Sequence, residues 1–171
     1  MAELDLGTID WAEMGTATLD TLKMMGFATL FTFLIGLPLG VLLFTFSRSQ
    51  SLVLGWVYRI ISLIVNILRS VPFIILIVAL IPVTRAIMGV STGVEGTIPP
   101  LVIGAAPFFA RLVETALREV DRGVIEASQA MGASSFQIIR KVLLPESLPG
   151  LIAGMTITVV TLVSYTAMSG M

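Results

Sequence analysis

Residues 24–46 carry no charged side chain, and residues 148–168 form a second uncharged stretch behind Pro145 and Glu146. At about 1.5 Å of rise per residue, either stretch coiled into a helix covers the roughly 30 Å of hydrocarbon in a bilayer. Two further apolar stretches are interrupted by charge: 60–83 by Arg69, and 97–117 by Arg111 and Glu114. The pattern predicts an all-α, polytopic transmembrane protein, a single domain over 1–171 with spans near 24–46, 60–83, 97–117 and 148–168. The segment 84–96, TRAIMGVSTGVEG, is rich in Gly, Ser and Thr and reads as an exposed outer loop.

Composition agrees with the pattern. Mean hydropathy is +1.01, and charged residues make up 12% of the chain, against about a quarter in ordinary globular proteins. Cysteine and histidine are both absent, which excludes disulfides, thiolate and imidazole chemistry, and the commonest zinc sites. No catalytic residue and no metal site is expected. The surroundings are membrane lipid, with no nucleic-acid partner.

The distribution of charge gives an orientation. Residues 1–22 contain Glu3, Asp5, Asp10, Glu13 and Asp20 without a basic residue, unlike the start of a secretory signal. The 47–59 connection holds Arg48 and Arg59, and the 111–146 region holds Arg111, Arg118, Arg122, Arg140 and Lys141. Basic connections stay in the cytoplasm. Spans that alternate in direction put both on that side, and the acidic segment 1–22 outside.

The stretch 119–146 is too long for a minimal helix connection and needs a fold of its own. Gly123 can break the incoming helix. A short helix over 124–131 follows, then a turn at Gly132, which is free to adopt positive φ. Ser134 can cap a second helix running through Lys141 and ended by Pro145. Phe136, Ile139, Val142 and Leu143 give that helix an apolar face able to lie on the membrane surface. The small side chains of EASQAM offer a surface on which another protein can sit closely.

Glu126-Ala127-Ser128, Gly132 six positions after the glutamate, and Val142-Leu143-Leu144-Pro145 resemble the EAA-G-I-x-LP motif of importer-type ABC transporter permeases. Ser128 replaces the usual second alanine, and Val142 the usual isoleucine. RSVPFIIL at 69–76, GAAPFFARLVETAL at 104–117 and RKVLLPESLPGLIAG at 140–154 look like the methionine-uptake permease subfamily. The resemblance implies a homodimeric transport subunit in a bacterial inner membrane. Two copies of a separate ATPase subunit would engage it through Glu126, Ala127, Ser128, Met131, Gly132, Val142, Leu144 and Pro145. Substrate would arrive from an extracytoplasmic binding protein. The pattern GxxxxGK[ST] does not occur in the chain, so no cofactor is expected on it; ATP and magnesium would belong to the ATPase. The resembled subfamily has five spans, one more than is visible here, and a cytoplasmic C-terminus.

Candidates for a translocation path are Tyr165 and Met168, which share a helix face near the outer end of the last span, and Arg69 with Ser70. Arg69 reads in two ways: a charge snorkelling at the cytoplasmic end of a short span that starts near Ser70, or one facing a water-filled cavity. Arg111, Glu114 and Arg118, at helical spacing, read as mutual screening on a solvated helix end. Gly36 with Gly40, and Gly150 with Gly154, suit close helix packing within the subunit. The alternatives to a methionine permease are an ABC permease for another small polar solute, an ion-coupled carrier, and a non-transporting membrane scaffold.

Overall fold

The computed structural model describes residues 10–169. Its helices are α1 (Trp11–Ser47), α2 (Leu52–Ser70), α3 (Phe73–Ala79), α4 (Ile81–Met88), α5 (Gly93–Arg118), α6 (Arg122–Ala130) and α7 (Ser135–Ile138). A π-helical turn (Ile139–Leu143), α8 (Leu144–Glu146) and α9 (Leu148–Ser169) complete the described residues. Among the described residues, α1, α2, α5 and α9 are long and apolar enough to cross a membrane. The all-α, four-span expectation therefore holds, with shifted boundaries.

The first span is longer than its uncharged stretch. Asp10 accepts hydrogen bonds from the backbone N–H groups of Ala12 and Glu13 at 2.9 and 3.1 Å, so α1 begins at Trp11. Residues 11–23, expected as part of an acidic N-terminal segment, are a helical extension of the span; residues 1–9 lie outside the described part. The second span is displaced. A single helix over 60–83 does not form, because Pro72 pushes Val71 into extended backbone (φ −78°, ψ 126°) and ends α2 at Ser70. The helix starts earlier instead, at Leu52.

The expected outer loop is also shorter than 84–96. Gly89 and Gly93 take φ of 75° and 76°, and a Cβ on Gly96 would lie 2.6 Å from the Ser91 carbonyl carbon. These glycines fold the turn tightly, so α4 extends to Met88 and α5 begins at Gly93.

Helix α5 is the centre of the bundle. Of its most apolar stretch 61% is buried inside the protein, against 6% for α2. The seam with α1 is built on glycine: a Cβ on Gly36 would meet Phe109 Cδ1 at 2.8 Å, and one on Gly40 would meet Val113 Cβ at 2.5 Å and the Ala110 carbonyl oxygen at 2.6 Å. In α9, Gly150 and Gly154 take the same role against Ala116 and Leu112 of α5. Backbones approach closely there, where lipid supplies no hydrophobic drive and contact area must. Both glycine pairs thus pack within the subunit.

Helix α2 is joined to α5 chiefly by polar contacts. Glu114, 3% exposed, accepts hydrogen bonds from Arg111 Nη1 at 2.5 Å, Arg118 Nη2 at 2.6 Å and the Tyr58 hydroxyl at 3.2 Å. Arg111 reaches on to the Ser62 hydroxyl and carbonyl and the Asn66 side chain. This corrects the expectation of a solvated helix end. The i, i+3 and i, i+4 spacing is the same, but α2 covers it, and the carboxylate is shielded between two guanidinium groups.

Two outcomes follow from this packing. Gly40→Val should destabilise the protein by about 1–3 kcal/mol, as an overpacked contact does, and so lower its thermal unfolding midpoint in detergent, whereas Gly26→Val, which faces open space, should not. Glu114→Gln leaves two guanidinium groups without their carboxylate and should cost about 3–5 kcal/mol. Unchanged unfolding of this variant in a denaturant titration would show that the cluster does not hold α2.

Candidate functional site

The segment after α5 is shaped by side chains that satisfy helix ends. The carboxylate of Asp121 accepts from the Gly123 N–H at 2.7 Å, so α5 ends at Arg118 and α6 starts at Arg122, with Gly123 inside its first turn. Gly123 is therefore not the breaker; the Asp121 cap competes for the backbone and is. Helix α6 ends at Ala130, and Gly132 takes φ 83°. The Gly132 N–H donates to the Gln129 carbonyl at 2.9 Å and the Ala133 N–H to that of Ser128 at 3.1 Å. A side chain at Gly132 would meet nothing, so its conformation, not space, demands glycine.

Ser134 caps α7 in a reciprocal arrangement with Gln137: its hydroxyl accepts from the Gln137 N–H at 3.4 Å, and its own N–H donates to Gln137 Oε1 at 2.8 Å. Pro145 does not end this second helix as expected. The chain widens into the π-helical turn before it, and Pro145 falls in the first turn of α8, where its missing N–H is not needed. The apolar face packs on the bundle rather than on the membrane surface. Ile138 and Leu143 are buried with Phe44, Phe109, Val113 and Leu117, while Phe136 is exposed.

The predicted docking residues divide into two groups. Glu126, Ala127, Met131 and Gly132 are exposed at the end of the molecule beyond α5, Met131 at 81%. Ser128 is buried, and its hydroxyl donates to the Val124 carbonyl at 2.8 Å. With Ile125 it faces the bundle and seats α6. Val142 and Leu144 are half-buried against the core, and Pro145 is exposed. Glu126 lies in the second turn of α6, past the first turn where a helix dipole favours a carboxylate, and among the described residues it makes no ion pair. Its charge is therefore free to meet another molecule.

The second set converges in part. Tyr165 of α9 stacks on Phe73 of α3, rings 4.1 Å apart and 2° from parallel. Both line a cavity of about 30 Å³ with Arg69, Leu68, Val71 and Phe108. Arg69 sits at the end of α2 remote from the basic connection, its guanidinium 5.5 Å from the Phe108 ring centroid. A charge snorkelling at the cytoplasmic end is thereby replaced by one held over an aromatic face beside a helix break. Ser70 does not join: its hydroxyl donates to the Asn66 carbonyl at 2.8 Å. Met168 is 42% exposed outside the cavity. Beside them, Thr166 and Ser169 donate to carbonyls of their own helix at 2.8 and 2.9 Å. Phe73 and Phe108 were missed by sequence reasoning, although the proline at 72 marks the break that brings Phe73 inward.

Residues 36–171 match the family model described as "Binding-protein-dependent transport system inner membrane component". The D-methionine transport system permease protein MetI of Escherichia coli (strain K12) is 56% identical over 151 residues, 88% of this chain and 70% of that protein. The Yersinia pestis protein of the same name is 52% identical over 157 residues, 92% of this chain and 72% of that one. Among solved structures, inward-facing MetNI methionine ABC transporter superposes with a TM-score of 0.83 at 55% identity, over 88% of this chain and 69% of that chain. With the family model matching most of the chain and these relatives more than half identical to it, this chain belongs to the family of binding-protein-dependent transport system inner membrane components.

Proposed function

We propose that this chain is the membrane-spanning subunit of an ATP-driven importer of methionine or a closely related amino acid. It works as a homodimer, with two copies of a separate ATPase subunit seated on α6. ATP and magnesium belong to the ATPase. An extracytoplasmic binding protein delivers the substrate, and the N-terminal end of α1 lies outside. The observation that carries this reading is the exposed Glu126, Ala127 and Met131 surface, fixed at a sharp angle by Gly132 and tied into the bundle by Ile125 and Ser128. A push on that surface reaches α5 and α1 through packed side chains rather than a flexible loop. The relatives' printed substrate, methionine, supports the choice of cargo.

The cavity beside Arg69 is too small for an amino acid and holds at most water. It lies where α2 breaks and α9 stacks on α3, so separation of Tyr165 from Phe73 would enlarge it. We assign Tyr165 to a gate on the path, Arg69 to a charge facing that path, and Met168 and Ser70 to its margin.

Gly132→Val should reduce methionine uptake by the reconstituted complex about tenfold, since left-handed backbone costs a side-chain-bearing residue about 1–2 kcal/mol, while the permease still inserts. Full uptake would remove Gly132 from the coupling role. Tyr165→Ala should alter methionine flux, or uncouple ATP hydrolysis from substrate, without lowering the amount of assembled complex; wild-type flux and coupling would reduce the ring to a packing contact. For orientation, a cysteine at Glu13 should react with an impermeant reagent in intact cells and one at Ser49 should not. The reverse pattern would turn α6 away from the ATPase.

A further inference from the structure

Between the end of α1 and the α6–α7 segment lies a cavity of about 320 Å³, lined by none of the residues around Arg69 and Tyr165. Its inner wall is apolar: Phe44 from α1, Leu54 from α2, and Ile125, Ile138 and Leu143 from the docking segment. Its rim carries Arg48, whose guanidinium lies 4.8 Å from the Phe44 ring centroid. Arg122, at the start of α6, stands one helical turn before the cavity-lining Ile125. Among the described residues neither Arg48 nor Arg122 forms an ion pair, whereas the neighbouring Arg118 is committed to Glu114. Asp121 caps Gly123, and Glu119 is exposed at the end of α5.

Positive charge is therefore concentrated at the mouth. Partial burial, and then the charges of Arg122 and Arg118, hold the Arg48 guanidinium below its ordinary pKa. An anion at the mouth would relieve that repulsion, and an apolar chain would fill the wall. Beside the opening, Leu52, Val53 and Trp56 of α2 are exposed, with Arg59 over the Trp56 ring at 5.1 Å. An aromatic ring with a cation beside it, at the end of a spanning helix, marks the headgroup level of a bilayer.

We propose that this cavity binds an anionic phospholipid of the adjoining leaflet. The phosphate lies between Arg48 and Arg122, the first part of one acyl chain enters the apolar wall, and the remainder runs along Leu52, Val53 and Trp56. Charge complementarity selects an anionic headgroup, and the enclosed apolar wall selects a lipid over free phosphate. The cavity abuts α6 on the face turned away from the docking residues, so a bound lipid would brace the docking segment against α1. That consequence rests on the transport reading above, but the binding does not.

The test is native mass spectrometry of the permease in mild detergent, titrated with phosphatidylglycerol, phosphatidylcholine or inorganic phosphate, with and without the ATPase subunit. Wild type should retain phosphatidylglycerol in preference to phosphatidylcholine and show no phosphate adduct. Each arginine near an anionic headgroup is worth about fivefold in affinity. Arg48→Gln with Arg122→Gln should thus lose most of the preference, on the order of 25-fold, and Leu54→Trp, which fills the wall, should weaken retention of both lipids. Arg140→Gln with Lys141→Gln, basic but outside the cavity, is the control and should retain the preference. An equal loss in that control would mean a diffuse basic surface and overturn the proposal. Equal retention of the two lipids, retention of a phosphate adduct alone, or displacement of phosphatidylglycerol when the ATPase binds would overturn it too. Because retention is read without transport, failure of the methionine reading leaves this result standing, and the converse.

Discussion

The rest of the structure depends on how closely α1 and α5 approach. A bilayer offers helices no gain for leaving solvent, so packed area and satisfied polar groups must hold them together. At Gly36 and Gly40 even a single Cβ would run into Phe109, Val113 or the α5 backbone, so side chains of one helix rest on the main chain of the other. The same residues of α5 then continue into the cluster that receives Leu117, Ile125, Ile138 and Leu143. Spanning helices and docking segment share one core, and a movement at α6 has no slack to be lost in.

Helix α2 relates differently to that core. It contributes one buried apolar residue, Val65, and is retained through Tyr58, Ser62 and Asn66 around the Arg111–Glu114–Arg118 cluster. Such contacts are directional and break as a unit, whereas apolar packing slides. At its far end α2 stops beside Arg69, where Pro72 opens the chain and Phe73 turns inward onto Tyr165. Helix α2 is thus tied to α5 along its length, at Tyr58, Ser62 and Asn66, and breaks one turn beyond the last of these, at Ser70.

Much of this was legible in the residues. The two uncharged stretches marked α1 and α9, the glycine pairs marked close contacts, and Gly132 marked the turn after α6. What escaped had physical causes. Charges three and four apart look alike on an exposed and a covered helix face, so the burial of Glu114 depended on α2, which sequence spacing does not position. The apolar pattern continues through Pro72, so it does not show that α2 ends there. Ser128 belonged to a small-residue run, and only its phase relative to Ile125 shows that it faces inward. Asp121 was overlooked as a cap because a glycine stood nearby as the more obvious breaker.

In the proposed function, an ATPase subunit sits on the outward surface of α6 and drives this permease from there. The chain has no cysteine, so a single cysteine introduced at the exposed Ala127 gives an unambiguous cross-linking position, and one at the exposed Thr156 gives a reference within the spanning helix α9. In membranes carrying both subunits, the account predicts a cross-link to the ATPase from Ala127→Cys, with loss of methionine uptake when it forms, and none from Thr156→Cys. A cross-link from neither position, or equally from both, would contradict it.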